Sequence, residues 1–306
     1  MGANILLIMN PHRYESLYTK NKEQDPQTAF GHFFPLIDLN RNEDYDAPFI
    51  AIAEKTFEGK DAWYFTQPKF EGKYKSKPPK LRNYLLYTFA RLKELEEDEP
   101  GSYFIESPDQ RWICFNSGLQ DKHSADLFCI FERNRRTAAP GSRPFPDWVY
   151  KGTETSRSVI FRQNFGLRLP KLAWYSNDSR DFVLNTEYAL DTDIFDHMFD
   201  RAKERSGFPP DATDESVRNY LRGALENLLP KIRRNYKTAI PVYFIGERRM
   251  QLLLPFHSSN GADISCFLVE RDDGNRCYLI KTILDMDQAY FNARLITRPD
   301  KEWLNP

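Results

Sequence analysis

The chain repeats itself. Leu81-Arg82-Asn83-Tyr84-Leu85 returns as Val217-Arg218-Asn219-Tyr220-Leu221, and Tyr103-Phe104-Ile105 returns as Tyr243-Phe244-Ile245. Ala125-Asp126, Cys129 and Glu132-Arg133 return as Ala262-Asp263, Cys266 and Glu270-Arg271, all 136 to 140 residues later and in the same order. Lys151-Gly152-Thr153 is echoed more weakly by Lys281-Thr282. Self-similarity over one fixed distance predicts one supersecondary unit built twice. It places Arg82 on Arg218, Phe104 on Phe244 and Glu132 on Glu270, over about residues 45 to 153 and 191 to 283.

Each half reads as two helices followed by about four strands. Phe49, Ile52, Ala53 and Phe57 mark a short helix, and a second follows Pro78-Pro79 with Leu81, Tyr84, Leu85, Thr88, Phe89 and Leu92 at helical spacing. In the second half a helix carries Ile194, Phe195, Met198, Phe199 and Ala202. Another, capped by Thr213, carries Val217, Tyr220, Leu221, Ala224, Leu225 and Leu228 and is expected to end or kink at Pro230. Aromatic and β-branched runs give strands at 112–116, 127–132, 148–151, 239–245, 250–256, 264–270 and 278–284, with a final helix from about Asp285. Helices grouped apart from hairpin-linked strands predict an α+β fold with antiparallel sheets, as two helix-helix-strand halves. Residues 1–27 form an N-terminal extension, 28–153 the first half and 154–306 the second; 137–146 is a Pro-rich loop.

Composition narrows the function. The 306 residues hold 43 Lys+Arg against 44 Asp+Glu, a net charge of -1, so neither a basic coat nor an acidic tail is present. Local basic patches remain open, because distribution matters more than the sum. Hydrophobic residues are 41% and mean hydropathy is -0.65, a soluble chain able to bury a core. No apolar run has membrane-span length and the start lacks a secretory signal, which predicts a cytoplasmic protein with no membrane partner. Cys114, Cys129, Cys266 and Cys277 lack metal or disulfide spacing and read as buried thiols. A hairpin turn at 272–275 would set Cys266 opposite Lys281 and Cys277 opposite Glu270. Neither these nor the five histidines suggest a metal, and no cofactor is expected.

The most unusual run is Lys231-Ile232-Arg233-Arg234-Asn235-Tyr236-Lys237-Thr238, four cations without an acid. Guanidinium forks and ammonium groups suit phosphate, and a tyrosine stacks a base; cations at a helix C-terminus also complement its dipole. The first half has Glu94, Glu96, Glu97, Asp98 and Glu99 in that place. Arg133, Asn134, Arg135, Arg136 and Arg143 form a second basic stretch, which reads first as an ordinary solvated loop and second as a phosphate contact. Asn292 and Arg294 are phosphate or base-edge candidates, or capping residues. Glu132 and Glu270 read first as ion-pair partners. As a catalytic set, His257 or Glu270 would supply the general base and Lys237, Lys281 or Arg294 the phosphate contact. P-loop, dinucleotide, zinc-hydrolase and nucleophile-elbow motifs are absent.

Several stretches together resemble one family. They are Leu81-Arg82-Asn83-Tyr84-Leu85 with Thr88-Phe89, Cys114-Phe115-Asn116-Ser117-Gly118-Leu119, Phe131-Glu132-Arg133-Asn134 and Tyr150-Lys151-Gly152. Later come Arg234-Asn235-Tyr236-Lys237-Thr238-Ala239-Ile240-Pro241, Gln251-Leu252-Leu253-Leu254-Pro255 and Ala289-Tyr290-Phe291-Asn292-Ala293-Arg294-Leu295. In this order, over roughly residues 28 to 304, they are similar to the domain of unknown function 3825. That family brings no established activity; fusions of its members to small RNA-binding modules imply an RNA-related role. The functional expectation is an RNA-binding regulatory protein with a basic groove for phosphate. Its alternatives are a metal-independent ribonuclease or other RNA-processing enzyme, and a small-nucleotide sensor with its ligand between the halves.

Overall fold

Hairpin-linked aromatic runs settle into antiparallel neighbours, and the helices cover their faces. The computed structural model describes residues 47–64, 78–135, 147–191, 198–209, 211–257, 259, 261 and 264–297. They divide into two compact units, the first ending at Trp174 and the second beginning at Tyr175. The architecture is α+β, with six described helices and two mainly antiparallel sheets.

The first unit runs α1 (Ala47–Lys55), α2 (Pro79–Asp98), β1 (Phe104–Glu106), β2 (Trp112–Gln120), β3 (Asp126–Arg133), β4 (Trp148–Glu154) and α3 (Val159–Phe165). Its sheet is a simple meander, β1-β2-β3-β4. Pro79 sits in the first turn of α2, where a missing N–H costs nothing. Phe89 of α2 meets Phe104 and Phe115 edge-on, and Phe115 stacks on Phe131, which fills one face of the sheet. The other face carries Ile105, Cys114, Phe128 and Ile130 against Phe161 and Phe165 of α3. At the β4 edge, the Lys55 ammonium donates to the Thr153 carbonyl and Glu154 carboxylate, both at 2.8 Å. A lysine there protects an exposed strand edge.

The second unit runs β5 (Ala189–Asp191), α4 (Phe199–Arg205), α5 (Asp214–Arg234), β6 (Ile240–Phe244), β7 (Arg249–His257), β8 (Ile264–Asp272), β9 (Cys277–Leu284) and α6 (Met286–Ala293). Its order is β5-β9-β8-β7-β6: the same four-strand meander, with β5 added parallel to β9. The α5 stripe Val217, Leu221, Leu225, Leu228 and Ile232 packs with Leu252, Leu254, Phe267 and Val269 on one face. On the other face Met286, Ala289, Tyr290 and Ala293 of α6 cover Ile240, Val242, Leu253, Cys266 and Leu268. Asp285 and Gln288 close a capping box at the start of α6.

Several expectations are corrected. Pro230 does not end α5, which continues to Arg234; the helix forgoes the one bond a proline nitrogen cannot donate. Phe57 lies beyond α1 and is 53% exposed. Cys277 pairs with Asp272 and Cys266 with Leu284, because the turn falls one residue later than expected, at 273–276, and a bulge between Leu268 and Val269 shifts the register further. All four cysteines are free and buried, so the separation of these thiols holds. Tyr103-Phe104-Ile105 and Tyr243-Phe244-Ile245 occupy unlike places: Phe104 pairs with Phe115 beneath α2, whereas Phe244 pairs with Arg249 beside a tight turn. Cys129 shares the α2 face with Phe115, whereas Cys266 lies under α6, so Phe128 is the residue placed like Cys266. Residues 192–197 and the loop at 137–146 lie outside the described residues.

Candidate functional site

Helix α5 is amphipathic and ordered by its ends. Thr213 accepts from the Ser216 amide, Asp214 and Glu215 occupy the first turn, and Lys231, Arg233 and Arg234 the last. Both charge placements favour the helix dipole. The chain leaves α5 at Asn235, whose side chain accepts from the Lys237 amide and closes a 3-10 turn over Tyr236–Thr238. That turn points Tyr236 outward, 60% exposed, among exposed Lys231, Arg233, Arg234 and Lys237. Among the described residues no carboxylate pairs with these four cations; Arg233 makes one contact, to the Thr186 carbonyl at 3.2 Å. The arrangement presents cationic donors and an aromatic face to solvent at one helix end.

The second basic stretch is less organised. Arg133 is exposed with its guanidinium 5.0 Å from the Trp148 ring centroid, and Arg135 is exposed. Arg136 and Arg143 lie outside the described residues. Asn292 is 3% exposed and donates to the Gln288 carbonyl, which is helix-internal bonding. Arg294 is the half-buried C-cap of α6.

His257, Glu270 and Lys281 do not converge as a catalytic set. Lys281 lies 3.7 Å from Glu270. Glu270 is held by Gln251 at 3.0 Å and Arg249 at 2.8 Å, whereas His257 ends β7 six residues beyond Gln251, about 20 Å along the strand. The His257 carbonyl accepts from the Tyr220 hydroxyl.

What surrounds Glu270 is a clamp, and the first unit has one too. Glu132 accepts from the Arg111 Nε at 2.7 Å and pairs with Lys151 at 2.8 Å. In both sheets the lysine is the bulged residue of the last strand: Ile130 pairs with Gly152 and Phe131 with Tyr150, Leu268 with Thr282 and Val269 with Ile280. The bulge turns the side chain back toward the carboxylate two residues further along the neighbouring strand. Hydrogen bonds from Lys151 and Arg111 hold the Glu132 carboxyl below the ordinary carboxylate value. Sequence reading noted the Glu132 and Glu270 pairs and the lysine echo; it missed Arg111, Arg249 and Gln251, which alternation alone does not single out.

Burial pushes the thiols of Cys114 and Cys266 well up and that of Cys129 to about 12, so none is a ready nucleophile. A cavity of about 440 Å³ in the first unit is lined by Phe89, Lys93, Glu96, Glu97 and Phe104, none of them a predicted site residue. Among the described residues no cluster of His, Cys, Asp and Glu could hold a metal ion, and no helix is long and apolar enough to cross a membrane.

A family model described as a domain of unknown function (DUF3825) matches residues 55–303. No curated protein and no solved structure matches the chain.

Proposed function

The chain belongs to the DUF3825 family, and we propose that it binds RNA through the exposed end of α5. The observation that carries this reading is the pairing of Tyr236, 60% exposed, with four exposed cations that have no carboxylate partner among the described residues. Base stacking on an exposed aromatic is sequence-tolerant. Dipole complementation accounts for Lys231, Arg233 and Arg234 in the last turn and does not explain Lys237 or the tyrosine beyond it. The partner is a single strand, because duplex RNA hides its base faces. Anisotropy of a labelled single-stranded RNA tests it: Tyr236→Ala should weaken binding by about 1–3 kcal/mol with folding unchanged. Wild-type affinity in that variant would remove the stacking role, and no wild-type binding at low salt would remove the proposal.

We further infer that the two units are copies of one helix–meander–helix element. Support comes from the shared strand order, the long helix against the same face, and a bulged lysine aimed at a strand carboxylate in each. Four free buried thiols fit a reducing compartment, which supports a cytoplasmic location.

A further inference from the structure

The two clamps differ at one position. Trp112 stands opposite Glu132 on the preceding strand, and both Glu132 oxygens are occupied by Arg111 and Lys151. Beside Glu270 the preceding strand instead supplies Gln251, whose Nε2 donates to the carboxylate at 3.0 Å. Gln251 is 3% exposed, and its Oε1 is buried with no hydrogen-bond donor among the described residues. A buried acceptor without a donor is rare in folded proteins and marks a place where something else supplies one. One cation of this clamp is looser than its counterpart: Lys281 is 3.7 Å from Glu270 against 2.8 Å for Lys151 from Glu132, while the Arg249 side chain, paired at 2.8 Å, is 60% exposed.

We propose that the Arg249–Gln251–Glu270–Lys281 cluster is a binding site for a phosphorylated sugar. Arg249 and Lys281 turn outward onto the phosphate, for which a guanidinium fork and an ammonium are suited. Their departure leaves a Glu270 oxygen and Gln251 Oε1 as neighbouring acceptors, and two vicinal hydroxyls are neighbouring donors. The buried Oε1 is sealed in the unliganded protein, so the cation movement is part of binding. The site is separate from the RNA surface, since Lys237 precedes β6 and Arg249 follows it. A free sugar phosphate and the terminal ribose phosphate of an RNA strand share this chemistry.

Titration calorimetry of the full chain with ribose 5-phosphate, 2-deoxyribose 5-phosphate and inorganic phosphate tests it. Ribose 5-phosphate should bind at least about 10-fold more tightly than either, because each alternative leaves an acceptor without its donor. Gln251→Leu should abolish that preference, and because it also removes the Nε2 donor of Glu270 its folding is checked by melting temperature on the same sample. Lys281→Met, which keeps the stem, should weaken all three, and Lys151→Met should change none. Arg233→Ala/Arg234→Ala should leave sugar phosphate binding intact, so failure of the RNA reading and failure of this one are distinguishable. Should only a short RNA bind, in a Gln251-dependent manner, the ligand is a strand end and the site stands. Equal binding of ribose 5-phosphate and inorganic phosphate, or Gln251→Leu binding like wild type, overturns it.

Discussion

The two long helices lie against their sheets in the same way and end in opposite charge. Helix α2 finishes on Glu94, Glu96, Glu97, Asp98 and Glu99, against its own dipole, and α5 finishes on cations that agree with it. The acidic end is tolerated because it is used inside the unit. Glu96 accepts from the backbone amides of Gly101, Tyr103 and Phe104, Glu94 pairs with Arg91 at 2.8 Å, and Glu99 pairs with Lys171. Among the described residues the cationic end has no such internal employment, apart from the Arg233 contact to Thr186. Burial follows the same division: α2 is covered nearly all round, whereas α5 buries one stripe. The acidic helix end thus serves folding within its unit, whereas the cationic one stays exposed.

If the units are copies, their matched core positions should fail alike. Phe115→Ala should destabilise by about 3–5 kcal/mol and Leu254→Ala by about 2–5 kcal/mol in denaturant unfolding. Both are fully buried beneath their long helix, so a loss below 1 kcal/mol at either breaks the equivalence. Glu96→Ala should cost about 2–3 kcal/mol, since three amides lose a charged acceptor. Arg234→Ala should cost under about 0.5 kcal/mol, as an exposed surface residue. Similar costs for these two would erase the contrast between the helix ends. Thr213→Ala should cost about 1 kcal/mol, while Pro78 provides no side-chain cap at α2 and its replacement should not act through one.

The smallest effect is in acid. Because the folded Glu132 carboxyl is held below its ordinary value of 4.5, its stabilisation is complete above that value and fades as pH falls through the lowered one. Glu132→Gln should therefore leave a shallower loss of stability below about pH 4.5. Pairs this exposed contribute roughly 0–1 kcal/mol, so an acid profile superposing on wild type would remove the clamp as a stabilising element.

Long elements were legible in the residues because periodicity needs length to register. Strands β2, β3 and β6 to β9 and helices α2, α5 and α6 stand where apolar spacing puts them. The three-residue strands β1 and β5 are too short to show alternation. Helix α3 begins Val-Ile-Phe, which favours a strand; its signals were the Ser158 cap and Gly166 at positive φ after the last turn. Some sequence echoes fall on like places in the two sheets, as Glu132 and Glu270 do, and others do not. Tyr-Phe-Ile is a chance match, since Ile240 rather than Ile245 pairs with the counterpart of Ile105's partner Cys114. The cationic run was legible as composition, but its exposure, and the lack of an acidic partner among the described residues, are properties of the fold. The Gln251 site was invisible, because an orphaned buried oxygen is a property of packing.

The claim that the end of α5 is open to a polyanion is tested most directly by the salt dependence of single-stranded RNA binding, measured with melting temperature on the same samples. Wild type should show a steep linear fall of log affinity with log salt, and Arg234→Ala/Lys237→Ala should flatten that slope by about 1.4 with no change in melting temperature. An unchanged slope, or a melting temperature that falls while the slope does not, would mean that these cations serve the helix and not a partner.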